Sequence, residues 1–155
     1  MKDILIIGGG KIGSVAAALL SQAQGDLCYR VTLADCSDAA LADVRREMAH
    51  APQVDTLVLD ASDGAALHAA LRGRFAVLSA APFHLSVSVA QAARQAGVHY
   101  LDLTEDVAST RRMRELAQGA HSAFIPQCGL APGFISIVAA DLARQFDTLD
   151  SVRLR

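Results

Sequence analysis

Three glycines, Gly8, Gly10 and Gly13 in the run Gly8-Gly9-Gly10-Lys11-Ile12-Gly13, follow the apolar stretch Ile4-Leu5-Ile6-Ile7 and precede an Ala- and Leu-rich segment. An acid, Asp35, stands twenty-two residues after the last of them. This pattern suits a pyrophosphate. Gly8 makes the tight turn, Gly10 lets phosphate oxygens approach bare backbone, and Gly13 lets the following helix pack close to the strand. The phosphates then rest on free N–H groups at the positive end of the helix dipole, in a turn that also contains Lys11 and Ile12. Asp35 supplies the second half of the pattern: a carboxylate that can accept both hydroxyls of a ribose and repels a 2′-phosphate. NAD is therefore expected over NADP. Cys36, Ser37 and Asp38 bring no arginine to clasp a phosphate, and Arg45 and Arg46 come about two helical turns later. A second role for Asp35, capping the helix that starts near Asp38, stays open at this point.

The surrounding sequence supplies the elements that position these groups. Ile12, Val15, Ala16, Leu19 and Leu20 recur at helical spacing, and Tyr29–Leu33 reads as a second strand ending at Ala34-Asp35. Beyond it come a helix over Ala39–Ala49, a strand over Val54–Leu59, a helix over Asp63–Leu71 and a strand over Phe75–Ser79. A helix over Ser86–Ala96 stopped by Gly97, a strand over His99–Leu103, a helix over Val107–Gln118 and a strand over Ala123–Pro126 complete the alternation. The expectation is an α/β protein, a Rossmann doubly wound parallel sheet in three α/β/α layers with strand order 3-2-1-4-5-6. Gly133–Phe146 reads as a long helix and Ser151–Arg155 as a strand just beginning. Residues 1–148 are thus assigned to the nucleotide-binding domain and 149–155 to the start of a second, substrate-binding domain that this chain lacks.

Ligands of such sheets sit beyond the carboxyl ends of the strands, so the residues just after each strand are the other candidates. Asp60 and Ala61 follow strand three and can border an adenine, while Asp63 caps the next helix. After strand four, the small residues Ser79, Ala80 and Ala81 let backbone lie against the nicotinamide ribose and Pro82 stiffens the turn. His84 in the same loop is placed to donate to a substrate carboxylate or exchange a proton, or else is a surface histidine. Asp102 and Glu105 follow strand five, and either can hold a substrate ammonium; Thr104 and Asp106 can equally cap the helix that follows. Gln127–Gly133 follows strand six, with N–H groups that can face a nicotinamide amide or a substrate carboxylate. Cys128 in that loop has no evident base nearby and reads as a small buried residue rather than a nucleophile.

Composition narrows the classes further. The chain has 155 residues and a net charge of −2 with acids and bases interspersed, which argues against nucleic acid or anionic lipid as partner. Arg111-Arg112-Met113-Arg114 reads as a solvated helix face. Slightly more than half the residues are hydrophobic (52%), yet no apolar run approaches the roughly 20 residues of a membrane span. Cys28, Cys36 and Cys128 show neither metal-ligand nor disulfide-framework spacing, and the N-terminus enters the first strand with no signal peptide, so a reducing cytoplasm is expected and no metal. Short-chain reductases need Tyr-x-x-x-Lys for proton transfer. Four residues after Tyr29 and Tyr100 stand Leu33 and Thr104.

Taken in order, Gly8–Gly13, the Asp60 turn, Ala80-Ala81-Pro82, His99-Tyr100-Leu101-Asp102 and Gly129-Leu130-Ala131-Pro132-Gly133 resemble the saccharopine dehydrogenase family in its saccharopine reductase and lysine 6-dehydrogenase branch. The resemblance covers nearly the whole chain. It implies an NAD(P)-dependent oxidoreductase acting at the C–N bond of an amino acid or amino-acid adduct, such as lysine or saccharopine, and yielding an imine. It also implies a following α+β domain that holds the substrate, through which a homodimer could form. The chain departs from the family pattern at Ala131, where an acid often precedes the proline, and at Ser79, where Asn often stands. The alternative from another class is an NAD(H)-binding regulatory or sensor domain without catalysis.

Overall fold

The computed structural model describes residues 1–23, 28–48 and 54–153. Six parallel strands form one sheet: β1 (Lys2–Ile7), β2 (Tyr29–Asp35), β3 (Val54–Val58), β4 (Ala76–Ser79), β5 (His99–Asp102) and β6 (Phe124–Ile125). Their spatial order is β3-β2-β1-β4-β5-β6, the doubly wound order expected. The helices are α1 (Lys11–Ser21), α2 (Asp38–Glu47), α3 (Gly64–Leu71), α4 (Ser86–Ala96), α5 (Val107–Ala117) and α6 (Phe134–Ala143), with a 3₁₀ turn at Phe83–Leu85 before α4.

The central strands read as unbroken apolar runs because a parallel sheet is covered on both faces. Alternation then divides each strand between two cores. Ile4, Ile6, Val31 and Leu33 pack under α1 and α2 with Ala17, Leu41 and Val44. Leu5, Ile7, Val77 and Tyr100 pack on the other side with Leu67, Leu71, Val89 and Met113 from α3, α4 and α5.

Register brings one residue of each central strand into a row near the carboxyl edge. Ile7 of β1 pairs with Ala34 of β2 and Ser79 of β4, and Ser79 pairs with Asp102 of β5. Beyond that row β1, β4 and β5 pass into loops while β2 runs one residue further to Asp35, and there the order of the strands reverses direction between β1 and β4.

Boundaries differ from the sequence expectation mainly at the margins. The fourth strand starts one residue later, at Ala76, and the sixth is reduced to Phe124–Ile125. Ala49, at the end of the helix expected after Asp35, lies outside the described residues. The last helix runs only from Phe134 to Ala143, ending three residues before Phe146. Residues 151–153 form no strand, and 154–155 lie outside the described residues.

Candidate dinucleotide site

The glycine turn is built by steric necessity at two positions. An added Cβ on Gly13 would stand 1.9 Å from the Gly8 carbonyl oxygen, inside any permissible contact. One on Gly8 would stand 2.7 Å from the Ala80 oxygen, and Gly8 also has φ of +110°, a conformation side chains rarely adopt. Gly10 is different. Nothing lies within 4 Å of its missing Cβ, so the fold itself makes no demand for glycine there. The space it leaves lies over the first turn of α1, whose N-cap is Gly10 itself with no side-chain cap. Three of the other helices use a side chain for that purpose: Ser37 accepts from Ala40 N, Asp63 from Ala65 N and Ala66 N, and Asp106 from Ser109 N, whereas α4 and α6, like α1, have none. At α1 no side chain caps the first turn and the space at Gly10 is open, an arrangement able to receive an anion on the free N–H groups of the turn. Gly8, Gly10, Lys11, Ile12 and Gly13 are thus brought together as expected, and the residues present fit a pyrophosphate.

Asp35 ends β2 beside this turn. Its Oδ2 accepts from Gly9 N at 2.7 Å and its Oδ1 from Ser37 N at 2.8 Å. It does not cap α2; Ser37 does. The carboxylate is instead pinned against the glycine turn, and each oxygen keeps a lone pair for a further donor. The arginines that follow are already engaged. Arg45 binds Thr56 Oγ1 at 2.7 Å and Asp38 at 3.1 Å, and Arg46 pairs with Asp43.

On the far side of the turn from Asp35 opens a cleft of about 410 Å³ walled by Ile12, Ser79, Ala80, Ala81, Phe83, Ser86 and residues 103–106. Ala80 and Ala81 line this cleft and Pro82 does not; Pro82 leads into the 3₁₀ turn, its carbonyl accepting from Leu85 N. Among the described residues the wall holds two carboxylates, Glu105 and Asp106, three hydroxyls and no basic side chain. Asp106 is held below the ordinary carboxylate range by hydrogen bonds from Ser109.

Several expectations are corrected by placement. Asp102 is fully buried, and its carboxylate already accepts from Tyr100 OH at 2.7 Å, Gln127 N at 3.0 Å and Thr104 N at 3.1 Å. It presents no oxygen to the cleft and acts as a strut between β5 and the loop after β6. The same burial and hydrogen bond drive the Tyr100 phenol far above its ordinary value. His84 is exposed and packs edge-on against Phe83, while Phe83 and Ser86 to either side line the cleft. In the loop after β6, Gln127 N and Cys128 N are spent on Asp102, and at the start of α6 Phe134 N and Ile135 N donate to Gly129 O and Leu130 O. Asp60 turns its carboxylate onto Ser62 N and Oγ, which lowers its pKa, and Ala61 is buried in the core, so any adenine would meet this turn through its backbone. Cys128 is exposed rather than buried, and its thiol is pushed up by desolvation and by Asp102 nearby.

The sequence reading missed the buried Tyr100–Asp102 pair and the Gly9–Asp35 bond. Nor does linear order show that the Ser79 hydroxyl is buried without a partner. A signal existed for the first: Tyr100 and Asp102 are two apart in a strand and so share a face.

A glycine turn without a side-chain cap, an acid at the end of β2 and a cleft at the strand-order reversal together define a dinucleotide-binding Rossmann domain. Residues 4–125 match the family model described as the saccharopine dehydrogenase NADP binding domain, and the chain belongs to that family. It is a nicotinamide-dinucleotide-binding domain of the oxidoreductase type. Among solved structures it is similar to apo saccharopine dehydrogenase (L-Glu forming) from Saccharomyces cerevisiae, at 20% identity and a TM-score of 0.75, covering 93% of this chain and 31% of that one. Scyllo-inositol dehydrogenase from Lactobacillus casei, solved with NAD(H) and scyllo-inositol, matches at 18% identity and a TM-score of 0.68, covering 94% and 40%. Myo-inositol 2-dehydrogenase from Lactobacillus plantarum matches at 16% identity and 0.65, covering 93% and 40%. These likenesses establish the shared fold, and the chain spans well under half the length of each. No helix among the described residues is long and apolar enough to cross a membrane, and no group of potential metal ligands occurs among them.

Proposed function

We propose that this chain holds NAD in preference to NADP and serves as the cofactor-binding part of an oxidoreductase acting at the C–N bond of an amino acid or amino-acid adduct. The observation that carries the cofactor reading is the open space at Gly10 over an uncapped helix start, flanked by Asp35 on one side and the cleft on the other. The dinucleotide supplies the hydride acceptor when bound. The protein's own part is to seat the pyrophosphate on the first turn of α1, to receive the adenosine ribose at Asp35, and to bring the opposite end over Ala80 and Ala81. A 2′-phosphate would lie against the Asp35 carboxylate with Arg45 and Arg46 already paired, which favours the unphosphorylated cofactor.

The acidic, base-free wall of the cleft supports an amine-bearing substrate over a phosphorylated or purely acidic one. Glu105 is the residue assigned to its ammonium group. His84, being turned outward, is left without a catalytic assignment, and Asp102 is a positioning residue. Further substrate contacts are assigned to a lobe packed on α6, none of whose residues is buried here.

Calorimetric titration tests the first half. NADH should bind at least about tenfold more tightly than NADPH, the minimum expected when a dianion is forced beside a carboxylate. Equal or inverted affinities would remove Asp35 from its role. Turnover of the whole protein with lysine, saccharopine and other amino acids, against scyllo- and myo-inositol as polyol controls, tests the second half. Oxidation of the polyols alone would overturn the C–N assignment, and Glu105→Gln should raise KM for an amine substrate more than it lowers kcat. Cofactor binding with no turnover of any donor would favour a sensor instead.

A further inference from the structure

Ser79 closes β4, in register with Ile7 on one side and Asp102 on the other. It is only 2% exposed, yet it forms part of the cleft wall. Among the described residues, its Oγ is one of two buried side-chain polar atoms with no hydrogen-bond partner; the other, His68 Nδ1, belongs to α3. A sheltered hydroxyl is normally matched, because leaving it alone forfeits its hydration with nothing in return. The polar groups around it are spent elsewhere. Asp102 serves Tyr100, Thr104 and Gln127, and the Ser86 carbonyl accepts from Tyr100 OH at 3.2 Å.

We propose that Ser79 Oγ is a ligand-binding group that hydrogen-bonds the nicotinamide riboside half of the dinucleotide, an inference that rests on the cofactor reading above. Position decides which half. The Ala80 carbonyl lies directly against Gly8, so the floor that Ser79 begins is continuous with the phosphate turn. That floor lies across β1 from Asp35, which takes the adenosine ribose. A dinucleotide seated on α1 therefore delivers its second nucleoside to Ser79. Both the ring carboxamide and the ribose hydroxyls of that half can pair with a serine hydroxyl. Reaching them takes one rotation about χ1 between staggered positions, from a side chain that already lines the cleft.

Titration of the wild-type chain and Ser79→Ala with NADH, ADP-ribose and ADP tests this. NADH affinity should fall about fivefold, the value of one neutral hydrogen bond, while ADP affinity stays unchanged. A parallel fall for ADP-ribose would place the bond on the ribose; a fall confined to NADH would place it on the carboxamide. Unchanged NADH affinity in the variant, with wild-type binding intact, would overturn the role of Ser79 and leave the cofactor reading standing. Failure of the wild type to bind any of the three would bring down both. Thermal unfolding without ligand gives a second readout. The variant should melt at least as high as wild type because a stranded hydroxyl has been removed, and a drop of several degrees would mark Ser79 as structural and sink the proposal.

Discussion

Gly8 and Gly13 answer to the fold, and Gly10 does not: the proposed cofactor reading assigns its open space to a ligand. At Gly13 a methyl group would collide with the Gly8 carbonyl, and relieving that overlap means moving the strand or the helix. Gly13→Ala is therefore expected to cost about 3 kcal/mol of stability by chemical denaturation, at the upper end for overpacking. Gly10→Val has no such neighbour to meet. It should unfold near the wild-type midpoint and lose NADH binding, measured by calorimetry, because its side chain fills the space the phosphates need. Retained binding in Gly10→Val would discard the loop geometry. The roles of these glycines and of Asp35 are legible in the order of residues along the chain, since all of them lie within one contiguous strand, turn and helix plus the end of the next strand. Those of Asp102 and His84 are not. Linear order puts both at the carboxyl ends of strands or just beyond, but only burial in the folded chain separates a strut from an exposed ring.

Three of the helices begin where a capping residue says they do. Ser37, Asp63 and Asp106 each accept backbone N–H bonds at the start of α2, α3 and α5. Asp63→Ala should destabilise by about 1 kcal/mol, detectable as a lower denaturation midpoint. Asp106 carries a pH signature as well. Its hydrogen bonds from Ser109 lower its folded pKa below the unfolded one, so the stability it lends is complete above the unfolded value of about 4 and fades as pH falls through the folded one. The melting-temperature gap between wild type and Asp106→Asn should therefore be full at pH 7 and shrink below about pH 4. A gap constant with pH would show that the charge of the cap contributes nothing. Helices and central strands were legible because their apolar residues recur with the right period. The 3₁₀ turn before α4 is too short to carry a period; β6 was placed by the alternation of elements but not its two-residue length, and beside it His99 Nδ1 accepts from Ala123 N and Tyr100 N donates to Ala123 O.

At the scale of the molecule, α6 is the anomaly. Phe134, Ile137 and Leu142 are all more than half exposed, and a groove of about 640 Å³ runs between this helix and residues 148–153. An apolar helix with no buried residue contributes little to the fold it hangs from. The chain should accordingly bind a hydrophobic dye and show concentration-dependent sedimentation. The double variant Ile137→Asp, Leu142→Asp should reduce both with no loss of melting temperature. A large loss of stability in that variant would show that α6 packs on the sheet after all.

Strand order, the glycine turn and the acid beside it were determined by the sequence alone, because periodicity and glycine spacing are local properties that survive without knowledge of what packs on what. The cleft was decided by tertiary structure. Its walls come from α1, the end of β4 and the loop after β5, and which of their side chains face inward depends on register across the sheet. An unmatched serine hydroxyl or a saturated carboxylate is a relation among residues distant in the chain, and only folding creates it.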